Sequence, residues 1–559
     1  MSQQGSPAAP SYVPPKQKQP APASPPTVSQ PKPPALSTPL TNPTKVRQPP
    51  SAKLLNRLWL QARETLKGQF SVIAIVILLL ALVLAGFLSL SFRRASDDLN
   101  TIAYGSIPSV DYAQALAQYI DDIDAKSADF LGTASLNDAP SLCSIPGAGQ
   151  PINVGNKQVY QCDELTINAE MLLANRQLFN AAHNVTYPGE QTAVERITEG
   201  LEEYNGHLTV MMHEFNLAAK RDDPNDIHLK AAYQAYLNAG KVLHTRIEHQ
   251  PRTAGGTFAY SETTVPACQP HYPNSPTLQP DQWATGSLET NIDCLSAINR
   301  LHLDGAYNDT MNFTGITFIL TIVLCLFFSL LLLFATGYMM AVTHRIINPG
   351  LLLALVAAIV LSLASISVFA SLQGKHGAYG QMVNDDYKSV YAADRLKRVG
   401  TNANADESRW LIALRFKQTD EVQRWATDWQ SNTDEVTNLI KQAQANQTWT
   451  EEIQPLTDIQ TNWTTYFNID AQIRDAANNE SDPQRLHTAE TLSTGQSNQA
   501  FAKFTDAVDQ LKKANYDHYN TTLSATGSIL NLYILLSAIL FPLIGLSAVW
   551  GVSQRFKDF

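Results

Sequence analysis

Residues Phe313–Leu372 read FTGITFILTIVLCLFFSLLLLFATGYMMAV, then THRIINPG, then LLLALVAAIVLSLASISVFASL. The two apolar runs each exceed 20 residues, carry no Asp, Glu, Lys or Arg, and are separated by eight residues. A bilayer core of about 30 Å takes roughly 20 apolar residues in a helix, so each run is long enough to cross it. A soluble helix would keep a polar face, and neither run has one. The connector is too short to cross again. The runs therefore form a hairpin whose outer ends emerge on one side. His344 and Arg345 are the connector's candidate positive charges, and Pro349-Gly350 supplies turn chemistry.

Two further runs match these. Ser71–Phe92 and Ser528–Val552 are apolar and uncharged, and Pro542 within the last is tolerable in a membrane helix. The overall mean hydropathy of −0.14 averages these four runs against polar sequence. The expected fold is an all-α membrane protein with four transmembrane helices and two extracytoplasmic helical bundles. Its parts are a Pro-rich tail (1–52), a juxtamembrane helix and first span (53–92), a polar segment (93–312), a second span (313–342), a connector (343–350), a third span (351–372), a second polar segment (373–527), a fourth span (528–552) and a tail (553–559).

Positive residues choose the orientation. Lys53, Arg57, Arg63 and Lys67 precede the first span, and Arg555 and Lys557 follow the last, against Arg93 and Arg94 on the far side. This places both termini and the connector in the cytoplasm, and both polar segments outside the cell membrane. Four of the five cysteines, Cys143, Cys162, Cys268 and Cys294, fall in the first polar segment. An even number in one compartment reads as disulfides in an oxidising space, with three possible pairings. Cys143–Cys162 and Cys268–Cys294 are favoured, because each would clip a Pro/Gly-rich loop. Zinc is the competing reading, but its CxxC or HxxxH spacing is missing.

Residues 1–52 hold 15 of the 31 prolines, and their charges (Lys16, Lys18, Lys32, Lys45, Arg47) are all basic. Such a composition predicts a disordered polyproline-like arm suited to an anionic membrane surface or a docking partner, or serving as a passive tail. Leu54–Lys67 is amphipathic and predicts a short helix. In 93–312, helical spacing recurs over Ser96–Leu136, Glu164–His183, Glu190–Arg221, Asn225–His249 and Ser287–Asp309, with loops around the cysteines. In 373–527, helices are predicted over about 380–416, 419–446, 449–478 and 483–527, the first and last continuous with the third and fourth spans. This segment is mildly acidic, with 21 Asp/Glu against 15 Lys/Arg, so nucleic acid is not its partner. Trp425 and Trp429 share a helix face and read as core packing.

Phosphate loops, HExxH, GxSxG and DxDxDG motifs are missing, so neither an enzyme nor a cofactor or metal site is expected. The uncharged spans argue against ion or proton transport. Within them, Asn531 and several Ser/Thr read as interhelical hydrogen-bonding groups, and Gly315 and Gly337 as close-packing points. A bundle that binds a small anion needs a guanidinium on its first helix. Arg395, Lys397 and Arg398, with Arg409 and Trp410 further on, form the dense basic group, and Arg395, Arg398, Arg409 and Trp410 are the candidate ligand-binding residues. The bland alternative is a solvated face paired internally with acids such as Asp394.

Two spans bracketing an up-down bundle resemble the four-helix-bundle sensor modules of bacterial chemoreceptors and histidine kinases, best over 373–527 and more loosely over 93–312. The connector His344-Arg345-Ile346-Ile347-Asn348-Pro349 resembles the start of a HAMP linker, without its coiled coil. The whole layout, with its short basic connector, is similar to the four-span actinobacterial membrane proteins that couple an amino-acid-binding lipoprotein to protein kinase G. That resemblance implies an extracytoplasmic solute-binding protein as one partner and a cytoplasmic kinase or other signalling protein as another. His344, Arg345, Asn348 and Pro349 would be the relay, and the likeness to paired receptor bundles implies a homodimer. The expected function is a membrane sensor passing an extracytoplasmic signal to a separate cytoplasmic partner. The alternative is a non-catalytic envelope scaffold or secretion-associated protein.

Overall fold

The computed structural model describes residues 65–133, 142–143, 152–153, 159–187, 189–221, 223–245, 287–344 and 348–555. The Pro-rich arm, the juxtamembrane stretch up to residue 64, Arg345, Cys268, the side chain of Cys143 and Lys557 lie outside the described residues.

Helix α1 (Leu66–Asn100) starts at Thr65, whose hydroxyl accepts from the Gly68 amide at 3.1 Å, an N-cap that occupies an otherwise unpaired donor. It continues through a π-helical stretch, Thr101–Ser106, into α2 (Ile107–Gly132). A two-residue ladder pairs β1 (Leu142–Cys143) with β2 (Ile152–Asn153). Then follow α3 (Val159–His183), α4 (Glu190–Leu217), α5 (Ile227–Gly240) with its π extension Lys241–Thr245, and α6 (Leu288–Thr343). The second half is α7 (Pro349–Leu372), a π stretch Gln381–Tyr387 leading into α8 (Lys388–Arg415), α9 (Thr419–Ala445), α10 (Ile453–Asn478), α11 (Arg485–Leu492), a π stretch Ser493–Ser497 and α12 (Asn498–Gln554). Among the described residues, four helical runs are long and apolar enough to cross a membrane: Leu66–Gly132, Leu288–Thr343, Pro349–Leu372 and Arg485–Gln554. Each contains one of the four spans expected from sequence.

The spans turn bulky groups such as Leu79, Val83, Phe327, Val360 and Leu535 outward. Water would penalise that surface, whereas lipid tails solvate it. Inward, α1 buries Phe70, Ala74, Ile77, Ala81, Leu84 and Leu88, alternating steps of four and three along one stripe. Small residues set the closest contacts. A Cβ added at Gly545 of α12 would sit 2.9 Å from the Ala81 Cβ, and one at Gly350 of α7 would sit 2.6 Å from the Gly551 Cα. Gly315 and Gly337, expected to be the packing points, have no neighbour within 4 Å of such a Cβ. Asn531 is exposed, and the interhelical polar contact at this depth is instead Ser89 to Ser537, 2.9 Å between hydroxyls.

Contacts at the two ends fix the layout. At one end, Tyr338 donates to Gln69 Oε1 at 2.6 Å, and Asn348 Nδ2 donates to the Gly551 carbonyl at 2.8 Å. At the other, the Arg94 guanidinium lies 4.2 Å over the Phe313 ring, Gln373 Nε2 donates to the Thr314 carbonyl at 2.9 Å, and Tyr379 donates to the Ala95 carbonyl at 2.7 Å. Both polar segments therefore extend from the same ends of the spans.

The connector is built from helix-ending chemistry. His344 takes a left-handed conformation (φ 52°) after α6, Asn348 caps α7 by accepting from the Leu351 amide at 3.4 Å, and Pro349 occupies its first turn. The predicted continuity holds for the fourth span, since α12 passes Pro542 without ending, but it fails for the third. Gln373–Gly377 interrupts the chain between α7 and α8. Gly374 sits at φ +82°, and a Cβ at Gly377 would lie 2.1 Å from the Gln373 carbonyl oxygen, so the break needs glycine at both places. Cys325 is a buried free thiol within α6. No complete disulfide lies within the described residues; Cys162 and Cys294 are not free, and the two pairings stay an expectation.

Each polar segment has its own apolar core, one from α2 to the start of α6 and one from α8 to α12. They are not independent. Ile412 of α8 is buried in the first core, and α2 packs along α8. As expected, Trp425 and Trp429 are buried in the second core, with Trp429 stacked on Phe467 at 5.4 Å.

Candidate functional site at the junction of the polar segments

Two helical stripes of the same spacing face each other. On α6, Glu289, Asp293, Ser296 and Arg300 follow at steps of four, three and four; on α8, so do Tyr391, Arg395, Arg398 and Asn402. Such steps keep side chains on one face. With Gln114 of α2 and Asn432 and Glu435 of α9, these stripes line a cleft of about 90 Å³ shared by both polar segments.

Arg398 is its centre. Nε donates to Asp121 Oδ2 at 2.8 Å, Nη1 to Asp293 Oδ1 at 2.6 Å and Nη2 to Glu289 Oε1 at 3.0 Å. One planar fork on α8 thus holds three carboxylates of the first polar segment, a geometry that lysine could not supply. Arg395 gives Nε and Nη2 to Glu435 Oε1 at 3.1 and 2.6 Å. The Arg300 guanidinium lies 4.6 Å over the Tyr391 ring, Gln114 Nε2 donates to Ser296 Oγ at 2.7 Å, and the buried Asn402 Oδ1 has no partner among the described residues. Burial pushes the Asp121 carboxyl up to about 7, aided by nearby Glu289 and opposed by Arg398.

The four sequence candidates do not form one site. Arg395 and Arg398 line the cleft, while Arg409 lines a separate cavity with Asp124, His244, Glu421 and Trp425. There it pairs with Asp124, donates Nη1 to Asp406 Oδ1 at 2.6 Å and lies 4.8 Å over the Trp425 ring. Burial pushes Arg409 down to about 10. Trp410 points elsewhere, buried in the second core with the Arg474 guanidinium 4.7 Å over its ring. A chain of polar side chains joins the two cavities. Glu289 Oε2, on the carboxylate that Arg398 holds, meets His244 Nδ1 at 3.0 Å, and His244 Nε2 approaches Asp124 Oδ2 at 3.5 Å.

The alternative of an internally paired face is correct about pairing: Lys397 pairs with Asp509 at 2.8 Å and Asp394 with Lys512 at 2.6 Å. It is wrong about solvation, because Arg398, Arg409, Asp121, Asp124 and Asp394 are almost entirely enclosed. Sequence reasoning missed Glu289, Asp293, His244, Glu435 and the acids of α2. Two signals pointed to all of these but His244 and Glu435: the four-three-four polar stripe at 289–300, and the crowding of Asp111, Asp121, Asp122, Asp124 and Asp129 on one helix.

Chemically, the cleft is a cluster of paired guanidinium and carboxylate groups. A ligand carboxylate could replace Glu435 on Arg395 or an acid on Arg398, and a ligand ammonium could take the released acid. Among the described residues, no group of His, Cys, Asp and Glu is arranged to hold a metal ion. No protein-family model, curated protein or solved structure matches the chain.

Proposed function

We propose that the protein is a membrane signal relay in which a small charged ligand, or a solute-binding protein presenting one, is read at the cleft between the two polar segments. The observation that carries this reading is where the cleft's walls lead. Glu289, Asp293 and Arg300 stand on α6, an unbroken helix of 56 residues that continues to the connector. Gln114 stands on α2, which joins α1 through a π-helical stretch and no loop. At 1.5 Å per residue, the cleft lies on the order of 30 Å from the span ends. Exchange of a ligand for Glu289 or Glu435 would shift α6 against α8, and rigid helices would carry that shift across the bilayer. In this reading the polar segments are two sensor bundles outside the cell membrane. The basic arm, His344–Pro349 and the C-terminal tail act on a cytoplasmic signalling partner, and an amino acid is the ligand that fits a salt of paired arginines and acids.

The test is pull-down with proximity labelling from intact membranes, with and without added amino acids. The relay expects a cytoplasmic signalling protein and an extracytoplasmic binding protein whose recovery changes with ligand, and loss of that change in Arg398→Gln. The same envelope partners in every condition would overturn it in favour of a scaffold.

A further inference from the structure

Helix α8 separates two spaces. Its Tyr391–Asn402 stripe faces the ionic cleft; roughly 140° further round, Ser389, Ala392, Ala393 and Leu396 face a cavity of about 300 Å³. The far wall is α9, which presents Leu439, Gln442 and Ala443 at helical spacing, with Asn446 capping its end, and the floor is Leu456 of α10 and Leu511 of α12. At this level α8 carries Ser389, Ala392 and Ala393 and α9 carries Ala443, side chains too small to fill the space between them. Further along the same core, Trp425, Trp429, Trp463 and Phe504 fill the interior.

The lining specifies the chemistry. Leu396, Leu456, Leu511 and Ala393 are buried hydrocarbon. Glu452 is the one ionisable group in the wall, and both its oxygens are used. Oε2 accepts from the Thr448 and Trp449 amides at 2.7 and 2.9 Å, and Oε1 accepts from Asn515 Nδ2 at 2.9 Å. Three N–H donors already tie this carboxylate to the fold rather than to a bound cation, and the wall has no Lys, Arg or His to hold an anion. Ser389 Oγ donates to the Asp385 carbonyl at 2.7 Å, which leaves the exposed Gln442 of α9 and Asn446 at its end as the polar groups at the mouth. Cores close-pack, and an apolar cavity of about half this volume is enough to take up benzene.

We propose that this cavity is a second, independent binding site, for an uncharged and mainly apolar small molecule with one polar end. The aromatic or aliphatic body lies on Leu396, Leu456 and Leu511, and the polar end meets the Gln442 and Asn446 amides. Because Leu511 belongs to α12, which runs into the fourth span, occupancy is felt by a membrane helix that the ionic cleft does not touch.

Indole, neutral with a single N–H donor, is the probe. The full chain in lipid nanodiscs is titrated and its thermal unfolding followed, beside the cavity-filling variants Ala443→Leu and Ala392→Leu. The expected result is a saturable rise in Tm for the natural chain and an apparent affinity at least tenfold weaker in the filled variants. No saturable rise, or an equal rise in all three, would overturn the site, the latter marking indole as acting through the bilayer. As a readout that does not depend on filling, Ala392→Cys is reacted with a maleimide. Indole should slow the labelling severalfold, and an unchanged rate would count against the proposal.

Discussion

Arg398 and Arg395 sit one turn apart on α8, face the same cleft and carry the same charge, yet their surroundings make them unequal. Arg398 is 13% exposed and holds Asp121, Asp293 and Glu289, of which Asp121 is 1% exposed. Arg395 is 26% exposed and, among the described residues, pairs with Glu435, itself 17% exposed. Removing one partner of a buried ion cluster leaves charges that water cannot reach, at a cost of about 3–5 kcal/mol, whereas a partly solvated pair is worth about 1 kcal/mol or less. Arg398→Ala should therefore destabilise the polar region by about 3–5 kcal/mol and Arg395→Ala by about 1 kcal/mol, read from unfolding of the solubilised chain. Equal losses would show that the three-way junction is not holding the segments together. Arg395, Arg398 and Arg409 stand out in the sequence as a dense basic group. Their partners do not, because Asp121, Glu289 and Asp293 precede Arg398 by 277, 109 and 105 positions. Local spacing puts charges on a helix face but says nothing about which distant face will meet it.

Hydropathy locates the four membrane elements, since a run without charge over 20 residues has few alternatives to crossing a bilayer. How those elements touch is harder to read, because the spans are uncharged and largely apolar on every face, and the inward face is chosen by shape. Gly337 and Gly315 look like packing points in sequence and meet nothing, while Gly350, Gly545 and Gly551 bring backbones together. A similar limit hides the break between α7 and α8, which depends on the left-handed φ of Gly374 and the close backbone approach at Gly377, neither of which their neighbours announce. The contrast is testable. Gly350→Ala would place a methyl 2.6 Å from the Gly551 Cα and 2.9 Å from the Ser547 carbonyl oxygen, both backbone atoms, so α7 and α12 must separate. Overpacking of this kind costs about 1–3 kcal/mol. Gly337→Ala, with open space around it, should be neutral or stabilise α6 by up to about 1 kcal/mol through helix propensity. The check is the Tm of both variants in one membrane mimic. If Gly350→Ala matches the natural chain, the close approach of the third and fourth spans is not what binds them.

Across the whole molecule, the two polar segments meet along a seam of carboxylates that α2 supplies and the second segment answers. Tyr516 bonds Asp111, Arg398 bonds Asp121, Arg409 bonds Asp124, and Ser408 and Asn498 bond Asp129. The answering groups are too few to offset burial. Burial pushes Asp111 up to about 8, with repulsion from Asp394 adding to it and Lys512 opposing; it pushes Asp121 up to about 7 and Asp122 to about 6 against Arg398 and Lys397. Glu407, beside Asp470 in the second core, is raised by burial to about 8. In the unfolded chain each of these titrates near 4, so between about pH 4 and 8 the folded state binds more protons than the unfolded one. Stability from these groups is fully present below the unfolded values and is lost as pH rises through the folded ones. The seam should thus be tightest in mild acid, with Tm falling as pH climbs from about 5.5 through 8.5. Asp111→Asn removes the group with the highest value in the seam while keeping a hydrogen-bond acceptor for Tyr516, so its decline above pH 7 should be shallower. A natural chain whose Tm stays level or rises over that interval would mean that the seam carries charge without strain, and that the segments are joined by their apolar contacts alone.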